Sequence, residues 1–316
     1  MNLQNKDELA PAPDRSQLLN ALGLQRRYGV ILHLGTTEKP LKIHYEVAVS
    51  CTEVAAKGVF RLQLQKETVF INNSAPDSLI DSLSADLGKV LYPLLVEVDE
   101  RGQFRCVANE AEIQKRWKEA RPNLARYYTG AIAERGLTGM DRALANGAFL
   151  AQQLRHDWLL TLLCAPVYRP YQNHQATAEV VFPMVAYQPP VKYALTLRTA
   201  PERTESGFVK VTATGTCADA RSGDDILRGR PLPLDEQPAA VGEVALEYKL
   251  YPHNGTLFSI TGEVTLQLPT GGKRVEVEVY QLNPRDYIPD KAREATSVIV
   301  EVENVPQKKG WSSFWK

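Results

Sequence analysis

The sequence is poor in the features that most directly reveal a protein's chemistry. Its 37 Lys and Arg balance its 37 Asp and Glu, so no overall field attracts nucleic acid or an anionic membrane, and we expect no nucleic-acid partner. No apolar run is long enough to span a bilayer. Residues 1–15 lack the apolar core of an export signal, which favours a cytoplasmic protein.

Cysteines and catalytic motifs are also scarce. The cysteines are widely separated, with no C-x-x-C pair and no histidine at zinc-site spacing, so we expect four reduced, buried thiols: Cys51, Cys106, Cys164 and Cys217. The chain has no phosphate-binding glycine loop, no nucleophile elbow, no H-E-x-x-H helix and no acidic calcium loop. We therefore predict no cofactor, no metal and no catalytic residue. An enzyme of an unrecognised class is the remaining alternative.

The residues that are present predict an α+β fold. Hydrophobic residues make up 44% of the chain and charged residues 23%, which is typical of a globular protein with a substantial core. Segments with two-residue alternation flank a helical region. We expect a large, curved, mostly antiparallel sheet, undivided or split into two, packed against a helical insert centred on residues 140–164. The apolar spacing from Met140 to Cys164 predicts one long central helix, most apolar at residues 158–163.

These patterns divide the chain into four sections. Residues 1–27 are polar and are expected to form a flexible arm, with a short helix at residues 16–22. Residues 28–200 form an αβ section that contains the helical insert. Residues 201–288 form an antiparallel β section that continues the sheet or packs on it. Residues 289–316 are predicted to be a linker, a short strand and an aromatic, basic tail.

Several charged clusters are expected to be ordinary surface. Residues 218–241 are rich in acidic residues, Gly and Pro, which predicts a long exposed loop. Asp224 and Asp225 in this loop are expected to be solvated charges rather than metal ligands. His156 and Asp157 are expected to be a surface pair rather than a catalytic dyad.

The irregular segment after the predicted central helix is the best candidate for recognition. It places Tyr168, Arg169, Tyr171 and His174 close together along the chain. Tyrosine and arginine combine rigid contact area with adaptable hydrogen bonds, so we predict that these four residues bind a partner. A crossover loop that only covers the end of the sheet is the alternative.

The carboxyl-terminal residues are a second candidate. Trp311, Phe314 and Trp315 lie among lysines after a polar linker, at a position where chains usually fray. Exposed aromatics reduce solubility, so we predict a tail that docks into a groove on a partner protein. Contact with a membrane interface and folding back onto the chain's own sheet are the alternatives.

These features favour a non-catalytic cytoplasmic subunit for protein interaction or assembly, of the adaptor or chaperone type. It would act on other proteins through its sheet surface, exposed loops and C-terminal tail. A sheet wrapped around an apolar helix is also similar in layout to lipoprotein carriers and other lipid-binding folds, but layout does not settle function. The alternative is therefore a binding module for an apolar small molecule or lipid, held between the sheet and the central helix.

Overall fold

The computed structural model describes residues 15–35, 40–233 and 237–283. The chain divides into two compact units, residues 1–281 and 282–316, and every helix and strand below belongs to the first. The strands are β1 (Arg15–Ser16), β2 (Gln25–Gly35), β3 (Leu41–Ala56), β4 (Val59–Lys66), β5 (Phe70–Ile71), β6 (Leu94–Asp99), β7 (Phe104–Val107), β8 (Pro170–Tyr171), β9 (Gln175–Phe182), β10 (Val191–Thr199), β11 (Val209–Cys217), β12 (Glu243–Leu250), β13 (Leu257–Leu268) and β14 (Gly271–Gln281). The helices are α1 (Leu79–Lys89), α2 (Glu110–Tyr127), α3 (Ala131–Leu144), α4 (Gly147–Leu154), α5 (Trp158–Leu163) and α6 (Gly223–Leu227).

Twelve of the strands form one open sheet. Eleven follow the order β7-β6-β4-β3-β2-β14-β13-β12-β11-β10-β9, and β5 pairs with β3 beside them. All the pairs are antiparallel, and β2 pairs with β14, so the strands before and after the helical insert belong to one sheet rather than two. The predicted α+β fold with a large antiparallel sheet is confirmed. Strands β1 and β8 form a separate two-stranded sheet.

The strands bury one face, as their alternation predicts. In β10, Val191, Tyr193, Leu195 and Leu197 are buried, whereas the residues between them are exposed or half-buried. Successive side chains of a strand point to opposite faces, so one face of the sheet forms the core. The buried sides of helices α2 to α5 join this face in one continuous hydrophobic cluster.

The segment between β1 and β2 differs from the prediction. Residues 17–24 form no helix, so the short helix expected at residues 16–22 is wrong. The N–H of Leu19 donates to the Glu100 carbonyl at 2.8 Å, and Leu19, Ala21 and Leu24 are buried. Tertiary contacts therefore override the local helical pattern. Near the end of the predicted arm, Leu19, Ala21 and Leu24 therefore belong to the core.

The predicted single helix from Met140 to Cys164 is also wrong, although the helical insert itself is confirmed. The segment comprises the end of α3, then α4 and α5. Asn146 caps α4, where its side chain accepts from the Ala148 N–H, and Asp157 caps α5, where its side chain accepts from the Leu160 N–H. Asn and Asp bond to nearby backbone and favour helix starts over helix interiors, so they divide the helix.

A half-buried ion pair fixes α5 to the sheet. Lys66 Nζ, at the end of β4, lies 3.2 Å from Asp157 Oδ2 and 4.5 Å from the centre of the Tyr45 ring. Burial alone would lower the pKa of Lys66, but the Asp157 carboxylate, with Tyr45 and Tyr92, raises it well above its ordinary value. The expectation that His156 and Asp157 form a surface pair is therefore wrong for Asp157, which is a structural residue.

The predicted exposed loop at residues 218–241 is partly folded. It contains α6, which a capping box between Ser222 and Asp225 begins, and both of these residues are buried. Asp225 Oδ1 accepts a hydrogen bond of 2.9 Å from Arg230, so the prediction of a solvated charge is wrong for Asp225. Residues 234–236 lie outside the described part of the loop.

Candidate functional site: the free edge of β9 and the pocket beside it

Strand β9 forms one end of the large sheet and is its more accessible edge. Within the described residues, β9 pairs along its length with β10 alone. It has eight residues, no proline and one charged residue, Glu179. The opposite edge strand, β7, has four residues, and its pairing with β6 shifts register between Glu97 and Val98. Short strands, charges, prolines and bulges usually protect sheet edges, and β9 has little of this protection.

Hydrogen bonds at the start of β9 show which backbone groups face the free edge. The Gln175 N–H donates to the Gln172 carbonyl at 2.9 Å, and the Thr177 carbonyl accepts from the Arg169 guanidinium. In a strand, the backbone groups of alternate residues point to the same side. The N–H and C=O groups of Glu179 and Val181 therefore also point away from β10, toward the free edge.

A pocket of about 370 Å³ lies at the Gln175 end of this edge. The turn between β6 and β7 contributes two of its residues, and the segment from residue 168 to residue 177 contributes the rest. The pocket therefore lies where the turn of one end strand approaches the other end strand. It is lined by Arg101, Gln103, Tyr168, Arg169, Pro170, Gln172, Gln175, Ala176 and Thr177.

The pocket is rich in hydrogen-bond donors and positive charge. Its lining includes two arginines and three glutamines, and no Asp or Glu. Neither Arg101 nor Arg169 forms an ion pair with another described residue. The Nε–H of Arg169 is buried, and in the described part of the chain it has no hydrogen-bond partner. A buried donor without an acceptor costs about 1–3 kcal/mol.

Only two of the four predicted recognition residues line the pocket. Tyr168 and Arg169 line the pocket. Tyr171 is fully buried, and its hydroxyl donates to the Val167 carbonyl at 2.7 Å, so it supports the segment from inside. His174 is not among the lining residues, and its Nδ1 lies 3.3 Å from Thr199 Oγ1.

The tail residues Trp311, Phe314 and Trp315 lie outside the described residues. The sequence did not single out Arg101, Gln103, Gln172 or Gln175 as site residues. Arg101 lies in the turn between β6 and β7, and nothing along the chain indicates that this turn approaches residue 169.

A second, broader hollow of about 940 Å³ lies on the outer face of strands β9 to β13. Small and hydroxyl side chains form most of its surface, and three glutamates line it: Glu179, Glu243 and Glu263. Two of these glutamates form ion pairs, Glu179 with Lys192 at 2.8 Å and Glu263 with Arg274 at 2.5 Å.

The described residues show neither a metal-binding cluster nor a membrane-spanning helix. They contain no group of three or more His, Cys, Asp and Glu side chains placed to hold a metal ion. No helix among them is both long and apolar enough to cross a membrane.

Comparisons with known proteins do not identify a family. No family model matches the chain, and no curated protein matches it. A solved structure described as "Lipid-protein interactions in lipovitellin" aligns with 82% of this chain and 25% of its own, at 10% sequence identity and a TM-score of 0.39. The chain thus spans a quarter of the length of that protein. A likeness this weak carries no conclusion about fold family or function.

Proposed function

We propose that this protein is a non-catalytic, cytoplasmic interaction subunit that binds an extended segment of a partner protein along the free edge of β9. The observation that carries the proposal is the eight-residue edge strand, which pairs on one side only in the described structure. An added strand would satisfy the outward N–H and C=O groups of Glu179 and Val181, and these main-chain bonds would provide affinity.

The inner side of this edge suits alternate apolar side chains of an incoming strand. Ala176, Ala178 and Val180 face the core and are half-buried, and all three pack against the main hydrophobic cluster. A neighbouring strand would place every second side chain over this strip and remove more of it from water. The strip therefore supports a preference for apolar residues at alternate positions of the partner segment.

The chemistry of the described site supports binding rather than catalysis. The pocket lining has no histidine, cysteine or carboxylate that could transfer a proton or attack a substrate. Elsewhere, Lys66 is held protonated by Asp157, and burial raises the pKa of the Cys164 thiol to about 12. Neither side chain is therefore an activated nucleophile.

The described core lends less support to an apolar ligand between the sheet and the helices. The Trp158 ring stacks on the Phe182 ring at 5.5 Å between centres, and Phe182 meets Tyr193 edge to face at 5.6 Å. Leu159 and Leu162 are 1% exposed in the same layer. The chain's own side chains thus occupy the place where the alternative would put a ligand.

The cytoplasmic location is supported by the cysteines, all four of which are free thiols.

Two variants of one residue test the proposal. Glu179→Pro removes an N–H that faces the free edge, whereas Glu179→Ala removes the same side chain and keeps the N–H. A photoreactive side chain at Val181 would report partner contact in the native cell. We expect the cross-link to persist in Glu179→Ala and to be lost in Glu179→Pro, with similar melting temperatures. An equal cross-link in both variants would contradict strand addition.

A further inference from the structure

Strand direction determines which end of an added segment reaches the pocket. All pairs in the large sheet are antiparallel, so we take antiparallel addition as the geometry at β9. Because β9 runs from Gln175 to Phe182, an antiparallel neighbour begins beside Phe182 and ends beside Gln175. The carboxyl end of the added segment therefore lies at the pocket.

The chain itself closes the path beyond this point. Gln172 and Gln175 are joined by two backbone hydrogen bonds of 3.0 and 2.9 Å, and these bonds occupy the edge groups of Gln175. At the next outward position, the Arg169 guanidinium already binds the Thr177 carbonyl. An added strand can pair with Val181 and Glu179, but it cannot continue past Thr177 along β9. A segment of about five residues, at about 3.4 Å each, covers this distance.

The groups at the closed end are those that bind a carboxylate. Arg101 and Arg169 line the pocket, and neither has an ion-pair partner in the described structure, although the Arg169 guanidinium also donates to the Thr177 carbonyl. Gln103, Gln172 and Gln175 add amide donors. A guanidinium donates charge-assisted, often bidentate, hydrogen bonds to a carboxylate.

We propose that this pocket binds the C-terminal carboxylate of the partner segment, so that the partner presents its own last residues as the added strand. The inference rests on the proposed function and specifies the partner's chemistry. An interior segment of a protein would have to turn away at Thr177, whereas a terminal segment ends there and places its charge between the arginines.

A display library of random peptides with free carboxyl termini, selected on the full-length protein, tests the inference. An enriched peptide is then synthesised as the free acid, as the C-terminal amide and with two added residues. We expect the amide and the extended peptide to bind at least about tenfold more weakly than the acid, because each removes or displaces the terminal charge.

Two arginine variants test whether the pocket is responsible for the preference for the free acid over the amide. In the described structure Arg101 donates through its backbone N–H to Asp99 Oδ1 at 2.9 Å, a bond that does not involve its side chain, so Arg101→Gln should fold normally. This variant should weaken binding of the acid more than of the amide. Arg203→Gln, at an exposed arginine between β10 and β11, is the matched control and should leave both affinities unchanged.

The outcomes separate this inference from the proposed function. If the acid and the amide bind equally and Glu179→Pro weakens both, strand addition holds and the carboxylate pocket is wrong. If the amide binds more weakly but Glu179→Pro has no effect, the pocket binds a carboxylate without strand addition, and the proposed function fails. Selection of internal acidic residues whose amides bind as well as the acids, or of no peptide at all, would also overturn the inference.

Discussion

The ring of Tyr168 packs against the backbone of Gly102, so that a Cβ atom at residue 102 would overlap the ring. Gly102 also has a φ of +69° in the turn between β6 and β7. The two residues belong to the two segments that form the pocket, and their contact sets how closely the segments approach. Glycine is required here both for backbone conformation and for space.

Gly102→Ala should destabilise the protein and disturb the pocket. The positive φ costs about 1 kcal/mol for a residue with a Cβ, and the overlap with Tyr168 adds about 1–3 kcal/mol. Gly23→Ala is the control, because Gly23 has a φ of +75° and nothing within 4 Å of an added Cβ. Urea unfolding should show a larger loss for Gly102→Ala. Equal losses would mean that the Tyr168 contact has no energetic weight.

The ion pair between Lys66 and Asp157 should show strong coupling. Lys66→Met leaves the half-buried Asp157 carboxylate without its cation, which should cost about 1–3 kcal/mol. Asp157→Asn keeps a side chain that can cap α5, but it leaves Lys66 uncompensated. In a double-mutant cycle followed by urea unfolding, the double variant should lose less stability than the sum of the single variants. If the losses of the two single variants simply added up in the double variant, the interaction between Lys66 and Asp157 would not stabilise the fold.

The sheet could be predicted where burial on one face produces alternation within a single strand, as in β10. The breaks in the helical insert were also present in the sequence, because Asn146 and Asp157 are good capping residues. The prediction of one long helix gave more weight to the helical spacing of the apolar residues than to these two capping residues. Residues 17–24 could not be predicted, since their hydrogen bonds join Leu19 to Glu100 and Asn20 to Asn254, far away in sequence.

The candidate site was only partly predictable for a related reason. Tyr168 and Arg169 stood out because of their composition and their irregular surroundings. The importance of Arg101 depends on the approach of a turn at one end of the sheet to a strand at the other end. The free edge of β9 depends on the order of all the strands, because a strand's position at an edge leaves little trace in its own residues.

Asp219 should make stability sensitive to acid. Burial alone would raise the pKa of Asp219, but hydrogen bonds from Arg221 and from the Lys192 N–H lower it below its ordinary value. The stabilisation is therefore present above the unfolded value of about 3.9 and is lost as pH falls through the lower folded pKa.

Asp219→Asn should accordingly be less stable than the unmodified protein at pH 7, and the difference should shrink as the pH falls below about 4. Glu205→Gln, at an exposed residue for which the structure describes no partner, should change stability little at either pH. Thermal unfolding at pH 7 and at acidic pH would measure both differences. A deficit for Asp219→Asn that did not change with pH would rule out the carboxylate's charge as its source.

Two asparagines at helix starts should differ in their contributions to stability. Asn146 is exposed and caps α4 through its hydrogen bond with the Ala148 N–H, so Asn146→Ala should cost about 1 kcal/mol. Asn109 precedes α2 but makes no capping bond. Its buried side chain instead accepts from the Leu95 N–H at 2.9 Å and donates to the Pro93 carbonyl at 2.8 Å.

Asn109→Ala would leave the Leu95 N–H without its partner, while the Pro93 carbonyl would keep its 3.0 Å hydrogen bond from Arg116. A buried donor left unpaired costs about 1–3 kcal/mol and the lost bond to Pro93 adds to this, so the variant should be less stable than Asn146→Ala. Urea unfolding of the two variants, analysed with a common m-value, would measure the difference. If Asn146→Ala were the more destabilising variant, the capping of α4 would matter more to the fold than the attachment of α2 to the start of β6.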